Sequence, residues 1–102
     1  MPTLTGKQKS YLRSLAQTLK PVFQIGKEGL TEPLLKTMND HIAPHELMKV
    51  SILPTSPESL EAIFVTLTAQ KIMIVQEIGN VLVLYKQNRK LEKGIRLPSR
   101  NA

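Results

Sequence analysis

The sequence contains no cysteine, which excludes disulfides, thiolate metal sites and cysteine nucleophiles together. It has no tryptophan and only two tyrosines and two phenylalanines, too few for a sheet that holds RNA by stacking bases on aromatic rings. The only histidines, His41 and His45, have a spacing that can bind metal on a continuous helix. Pro44 lies between them and no third ligand stands near in sequence, so no metal site is expected. No apolar run approaches the ~18 residues of a membrane span, and the N-terminus lacks the apolar core of a secretion signal. No membrane contact is expected, and a cytoplasmic location is the default. Nucleophile–base pairings are also missing: Asp40 with Glu46, or Glu58 with Glu61, read as solvated acids or helix-end charges. Neither an enzyme nor a cofactor is expected.

What the chain does have is segregated charge. Its 102 residues carry a net charge of +6, enough chain for a single modest core. Residues 1–27 hold Lys7, Lys9, Arg13, Lys20 and Lys27 with no acid. Residues 28–85 hold three bases against seven acids, and residues 86–102 hold six bases (Lys86, Arg89, Lys90, Lys93, Arg96, Arg100) against Glu92. Basic ends around an acidic middle suit a polyanion partner.

The most informative segment is Val22-Phe23-Gln24-Ile25-Gly26-Lys27-Glu28-Gly29-Leu30-Thr31-Glu32-Pro33. It reads as an apolar strand, a loop bounded by glycines, and a helix start capped by Thr31 with Glu32 and Pro33 in the first turn. Glycines admit close backbone approach; the helix start supplies amides, and Lys27 a charge. That combination suits a phosphate, and a GXXG loop before a helix is the backbone clamp of KH-type RNA modules.

Periodicity predicts a first helix from the Thr5 cap to about Thr18, with Tyr11/Leu12, Leu15/Ala16 and Leu19 at helical spacing, ended by Pro21. A strand over Val22–Ile25 follows, then a helix from Glu32 to Ala43 stopped by Pro44, and a strand over Leu47–Leu53. A third helix is expected with Ser56 as its cap and Pro57 at its first position. Strands over Ile72–Ile78 and Val81–Tyr85 join through Gly79-Asn80, where both positions tolerate positive φ. The order α-β-α-β-α-β-β predicts an α/β fold with a mixed four-stranded sheet. The apolar last strands imply that neither sheet face is fully solvated. Residues 1–86 form the expected domain and 87–102 a basic tail.

These residues resemble the CRM domain (chloroplast RNA splicing and ribosome maturation) in its stand-alone bacterial YhbY form. The resemblance is carried by Lys7-Gln8-Lys9, Leu12, Leu15-Ala16, Leu19-Lys20-Pro21-Val22, Ile25-Gly26-Lys27-Glu28-Gly29-Leu30-Thr31, His45-Glu46-Leu47, Lys49-Val50 and Ile78-Gly79-Asn80-Val81-Leu82-Val83-Leu84-Tyr85. It implies a compact KH-like fold, similar also to the C-terminal domain of a bacterial translation initiation factor. It further implies RNA binding through the Gly-Lys-x-Gly loop and, for bacterial members, association with precursors of the large ribosomal subunit. Glu28 takes the variable loop position, where an acid suits a base edge or an amine better than a phosphate. Pro44 departs from the family pattern.

The expected site is therefore Gly26, Lys27, Glu28, Gly29, Leu30 and Thr31, flanked by Lys7, Lys9, Arg13 and Lys20. RNA is the expected partner, a pre-large-subunit ribosomal particle the expected setting, and a monomer the expected state. Replacing Gly26 and Gly29 by aspartate is expected to weaken RNA binding without unfolding the domain. The rival reading is an adaptor whose acidic middle docks a basic ribosomal protein.

Overall fold

The computed structural model describes residues 4–56, 59–88 and 95. Seven elements follow in the expected order: α1 (Gly6–Ala16), β1 (Pro21–Ile25), α2 (Glu32–His45), β2 (Leu47–Ile52), α3 (Leu60–Ala69), β3 (Met73–Ile78) and β4 (Val81–Tyr85). The sheet has the order β1-β2-β4-β3, with β1 parallel to β2 and the other pairs antiparallel.

Strand alternation distributes side chains to two cores. On one face Ile25, Met48, Val50, Leu82 and Leu84 pack with Met38 and Ile42 of α2 and Ile63 and Leu67 of α3. On the other, Leu47, Val75, Val83 and Tyr85 pack beneath Leu12 and Ala16 of α1. Both faces of the sheet thus carry helix, as the apolar β4 implied. Helix α1 buries only a narrow stripe, for Tyr11, Leu15 and Leu19 stay more than one-third exposed. Its start is fixed by a capping box: the Gln8 amide donates to Thr5 Oγ1 (3.1 Å) and the Thr5 amide to Gln8 Oε1 (3.0 Å).

Two expectations are corrected. Pro44 does not stop α2, which continues to His45. Proline removes one amide and leaves the carbonyl four residues earlier without its partner; that residue, Asp40, is exposed and water can serve its carbonyl. The helix ends instead at Glu46, whose φ of 63° lies in the left-handed region while its amide donates to the Ile42 carbonyl (2.6 Å). Helix α3 is capped not by Ser56 but by Ser59, whose Oγ accepts from the Ala62 amide at 3.1 Å; Pro57 lies outside the described residues. At the β3–β4 turn only Gly79 has positive φ (60°), and Asn80 donates from its side chain to the Ile52 carbonyl at 3.2 Å.

Glu46 also reaches beyond the sheet. Its buried carboxylate accepts from the Asn88 amide (2.7 Å) and the Ile95 amide (2.6 Å), and Ile95 packs on the α1-side core. Of the expected basic tail, Arg89, Lys90, Lys93, Arg96 and Arg100 lie outside the described residues.

Candidate nucleic-acid interface

The glycine-bounded loop leaves β1 at the edge of the sheet. Its four residues close a turn in which the Gly29 amide donates to the Gly26 carbonyl at 2.9 Å. Lys27 and Glu28 are the central, exposed residues, and the turn's own hydrogen bond does not use their backbone amides. Gly29 is buried with φ of 71°, a conformation that costs any residue with a Cβ. Gly26 is different: its φ is not positive, and an added Cβ would meet only the Leu53 Cδ1 at an ordinary 3.5 Å. One glycine is required by the backbone; the other keeps the approach clear.

Behind the turn, Leu30 packs against the α2/α3-side core, and Thr31 caps α2 by accepting from the Leu34 amide at 3.2 Å. With the Leu34 amide capped and Pro33 lacking one, the helix start keeps few donors for a ligand. Lys27 has no acidic partner among the described residues. A shallow cleft of about 380 Å³ surrounds the loop, bounded by Gln24, Lys27, Glu28 and Leu34.

The basic residues of the first helix do not gather at the loop. Lys20 immediately precedes β1 and Lys27 follows it, so a strand of roughly 16 Å separates them. Lys7 and Arg13 are exposed on α1, with Lys9 half-buried. Arg13 lines a second cleft of about 410 Å³ between α1 and the sheet, with Lys49 of β2 opposite. The two clefts share one sheet face. Gln24 pairs with Ser51, Ser51 with Val81, and Val81 with Ile78; Gln24 borders the loop cleft and Ile78 the helix cleft. This row lies beyond the cover of α1.

Sequence reasoning missed Gln24, Lys49 and Gln76 as members of this surface. The available signal was the polar alternation of Lys49 and Ser51 in an otherwise apolar strand, which also fits a solvated face.

His41 and His45 stack at 4.2 Å between ring centroids, and the His41 ring meets Phe23 edge-on at 5.5 Å. Partial burial, and then the neighbouring His45, hold the His41 pKa below its ordinary 6.5. Among the described residues no group of three or more possible ligands gathers.

Fold and loop together define a small α/β domain with a glycine-bounded turn between an edge strand and a helix. The CRS1 / YhbY (CRM) domain family matches residues 4–86, and the chain belongs to that family. It is 41% identical over 96 residues to a Bacillus subtilis protein named as a probable RNA-binding protein, YqeI, covering 93% of this chain and 99% of the relative. It is 38% identical over 99 residues to an RNA-binding protein of Haemophilus influenzae, covering 96% and 98%. The solution structure of the hypothetical protein SAV1595 from Staphylococcus aureus superposes with a TM-score of 0.75 at 42% identity, covering 94% of this chain and 100% of that one.

Proposed function

We propose that the protein binds RNA through the Gly26–Gly29 turn and acts as an assembly factor on precursor large-subunit ribosomal RNA. The observation that carries this reading is the turn itself: an exposed lysine without an acidic partner among the described residues, between two glycines, on a family fold whose relatives are named for RNA binding. Gly26 leaves room for the phosphate backbone, Lys27 supplies charge, and the Lys27 and Glu28 amides donate. Glu28 disfavours a second phosphate beside the first and suits a base edge. The ribosomal setting rests on family resemblance alone.

The geometry also selects the variant for the test. Aspartate at Gly29 strains the left-handed backbone and confuses lost binding with lost fold. Gly26→Asp with Lys27→Gln alters the exposed half of the turn and leaves Gly29 in place. In-cell crosslinking with sequencing of the bound RNA should place wild-type reads on precursor large-subunit RNA and lose them in this folded double variant. Unchanged reads would remove the turn from binding. A complex that survives nuclease and high salt would favour a protein partner for the acidic middle of the chain instead.

A further inference from the structure

We infer that the cleft between α1 and the sheet is a second nucleotide site, in which Arg13 and Lys49 hold a phosphate of the same RNA strand while Gln17 and Gln76 meet its base. The inference rests on the RNA reading above and extends it to a residue set between α1 and strands β2, β4 and β3.

The cleft is lined by Ser10, Arg13, Ser14 and Gln17 of α1 and by Lys49, Gln76, Ile78 and Val83 of the sheet. No acid is among its lining residues, and neither cation forms an ion pair among the described residues. Lys49 is the telling member. It sits on a central strand, half-buried, beside Val83 and between Pro21 and the β4 ladder. A cation there surrenders hydration that an apolar residue would not need, and its stem lies on apolar surface while the ammonium reaches the cleft. Arg13, on the opposite wall, offers the planar fork that suits phosphate oxygens.

The remaining lining suits a nucleotide rather than a bare anion. Gln17 and Gln76 each carry an amide donor and an acceptor, the pattern that pairs with base edges. Ile78, 51% exposed, offers an apolar surface for a base. The volume of about 410 Å³ falls within the range of small-ligand sites.

Spacing makes the strand, not a single phosphate, the ligand. Lys27 lies three residues past Gln24, and Lys49 two residues before its partner Ser51. At about 3.3 Å per residue along the parallel strands and about 4.8 Å between them, the two lysines stand roughly 17 Å apart. Between them runs the uncovered row Gln24, Ser51, Val81 and Ile78, which carries no charge of either sign.

The test is RNA length. Fluorescence anisotropy with labelled oligouridylates of about four nucleotides, the run a GXXG loop clamps, and of about eight separates the sites. Arg13→Gln with Lys49→Gln should bind the longer RNA roughly tenfold more weakly than the parent, the loss of a charge-assisted contact. The slope of log affinity against log salt should fall by about 1.4 for the two lost cations. The shorter RNA should bind equally, and Arg13→Lys with Lys49→Arg should restore the longer one. Equal affinity of the neutral pair and the parent for the longer RNA would overturn the inference, as would equal weakening at both lengths. Arg13→Gln alone, at an exposed helix position, must show the same dependence on length if Lys49→Gln does not fold. Gly26→Asp with Lys27→Gln weakens both lengths if the turn is the clamp. If it weakens neither, the clamp fails while the length dependence of the Arg13/Lys49 pair still decides the cleft.

Discussion

Tyr85 closes β4 with its ring 1% exposed and its hydroxyl without a hydrogen-bond partner among the described residues. The ring is core, which removes it as a platform for a base. Burial first, and the Glu46 carboxylate second, push the phenol from its ordinary 10.0 up to about 12. The folded protein thus holds the phenol proton more tightly than the unfolded chain does. The associated stability is complete below about pH 10 and is lost as pH rises towards about 12. Tyr85→Phe keeps the ring and discards an unpaired polar atom, so it should leave stability unchanged or raise it by about 1 kcal/mol at neutral pH. Urea denaturation should also find its stability falling less steeply than the parent's between pH 10 and 12. A loss above about 1 kcal/mol at neutral pH would mean that the hydroxyl has a partner.

Among the elements, the two serines before α3 separate sequence logic from outcome. Ser56-Pro57 has the better signature of a helix start, yet Ser59 accepts the Ala62 amide, while the Ser56 Oγ is buried with no partner among the described residues. Ser59→Ala should therefore cost about 1 kcal/mol, a typical cap loss, and Ser56→Ala little or nothing. Thermal melts of the two variants distinguish them, and the reverse order would return the cap to Ser56. The order of all seven elements was legible because helical spacing, short apolar runs and turn residues each leave a local signal. The turn was legible too, since glycines, lysine and a capping threonine are local signals. Two kinds of information were not local. Pro44 is tolerated because Asp40 faces water, and Glu46 ends the helix by a left-handed backbone no composition rule anticipates. Lys49 joins Arg13 only through packing of α1 across a strand 36 positions later in the chain, and neither residue alone announces the cleft.

Taken whole, the molecule sets one cleft at the turn that ends edge strand β1 and the other between α1 and strands β2, β4 and β3. Both edges carry a register shift, between Pro21 and Phe23 and between Ile74 and Gln76, but β3 is tied to β4 through a two-residue turn, whereas β1 reaches β2 only through the α2 crossover. Edge elements with a single ladder open more readily than central ones. Hydrogen exchange should therefore find β1 amides less protected than those of β4, and saturating oligouridylate should slow exchange in β1 more than in β4. Equal slowing everywhere would mean that RNA stabilises the domain only globally.

The singly laddered β1 has a consequence for the energetics of grip. A ligand that bridges the turn and the α1 cleft ties the end of β1 to the strands beside it, so part of its binding free energy appears as lost local opening. Affinity and the stiffness of one strand then become two measures of the same equilibrium. Any substitution that loosens β1 without touching RNA would weaken binding by the fraction of time the strand spends open.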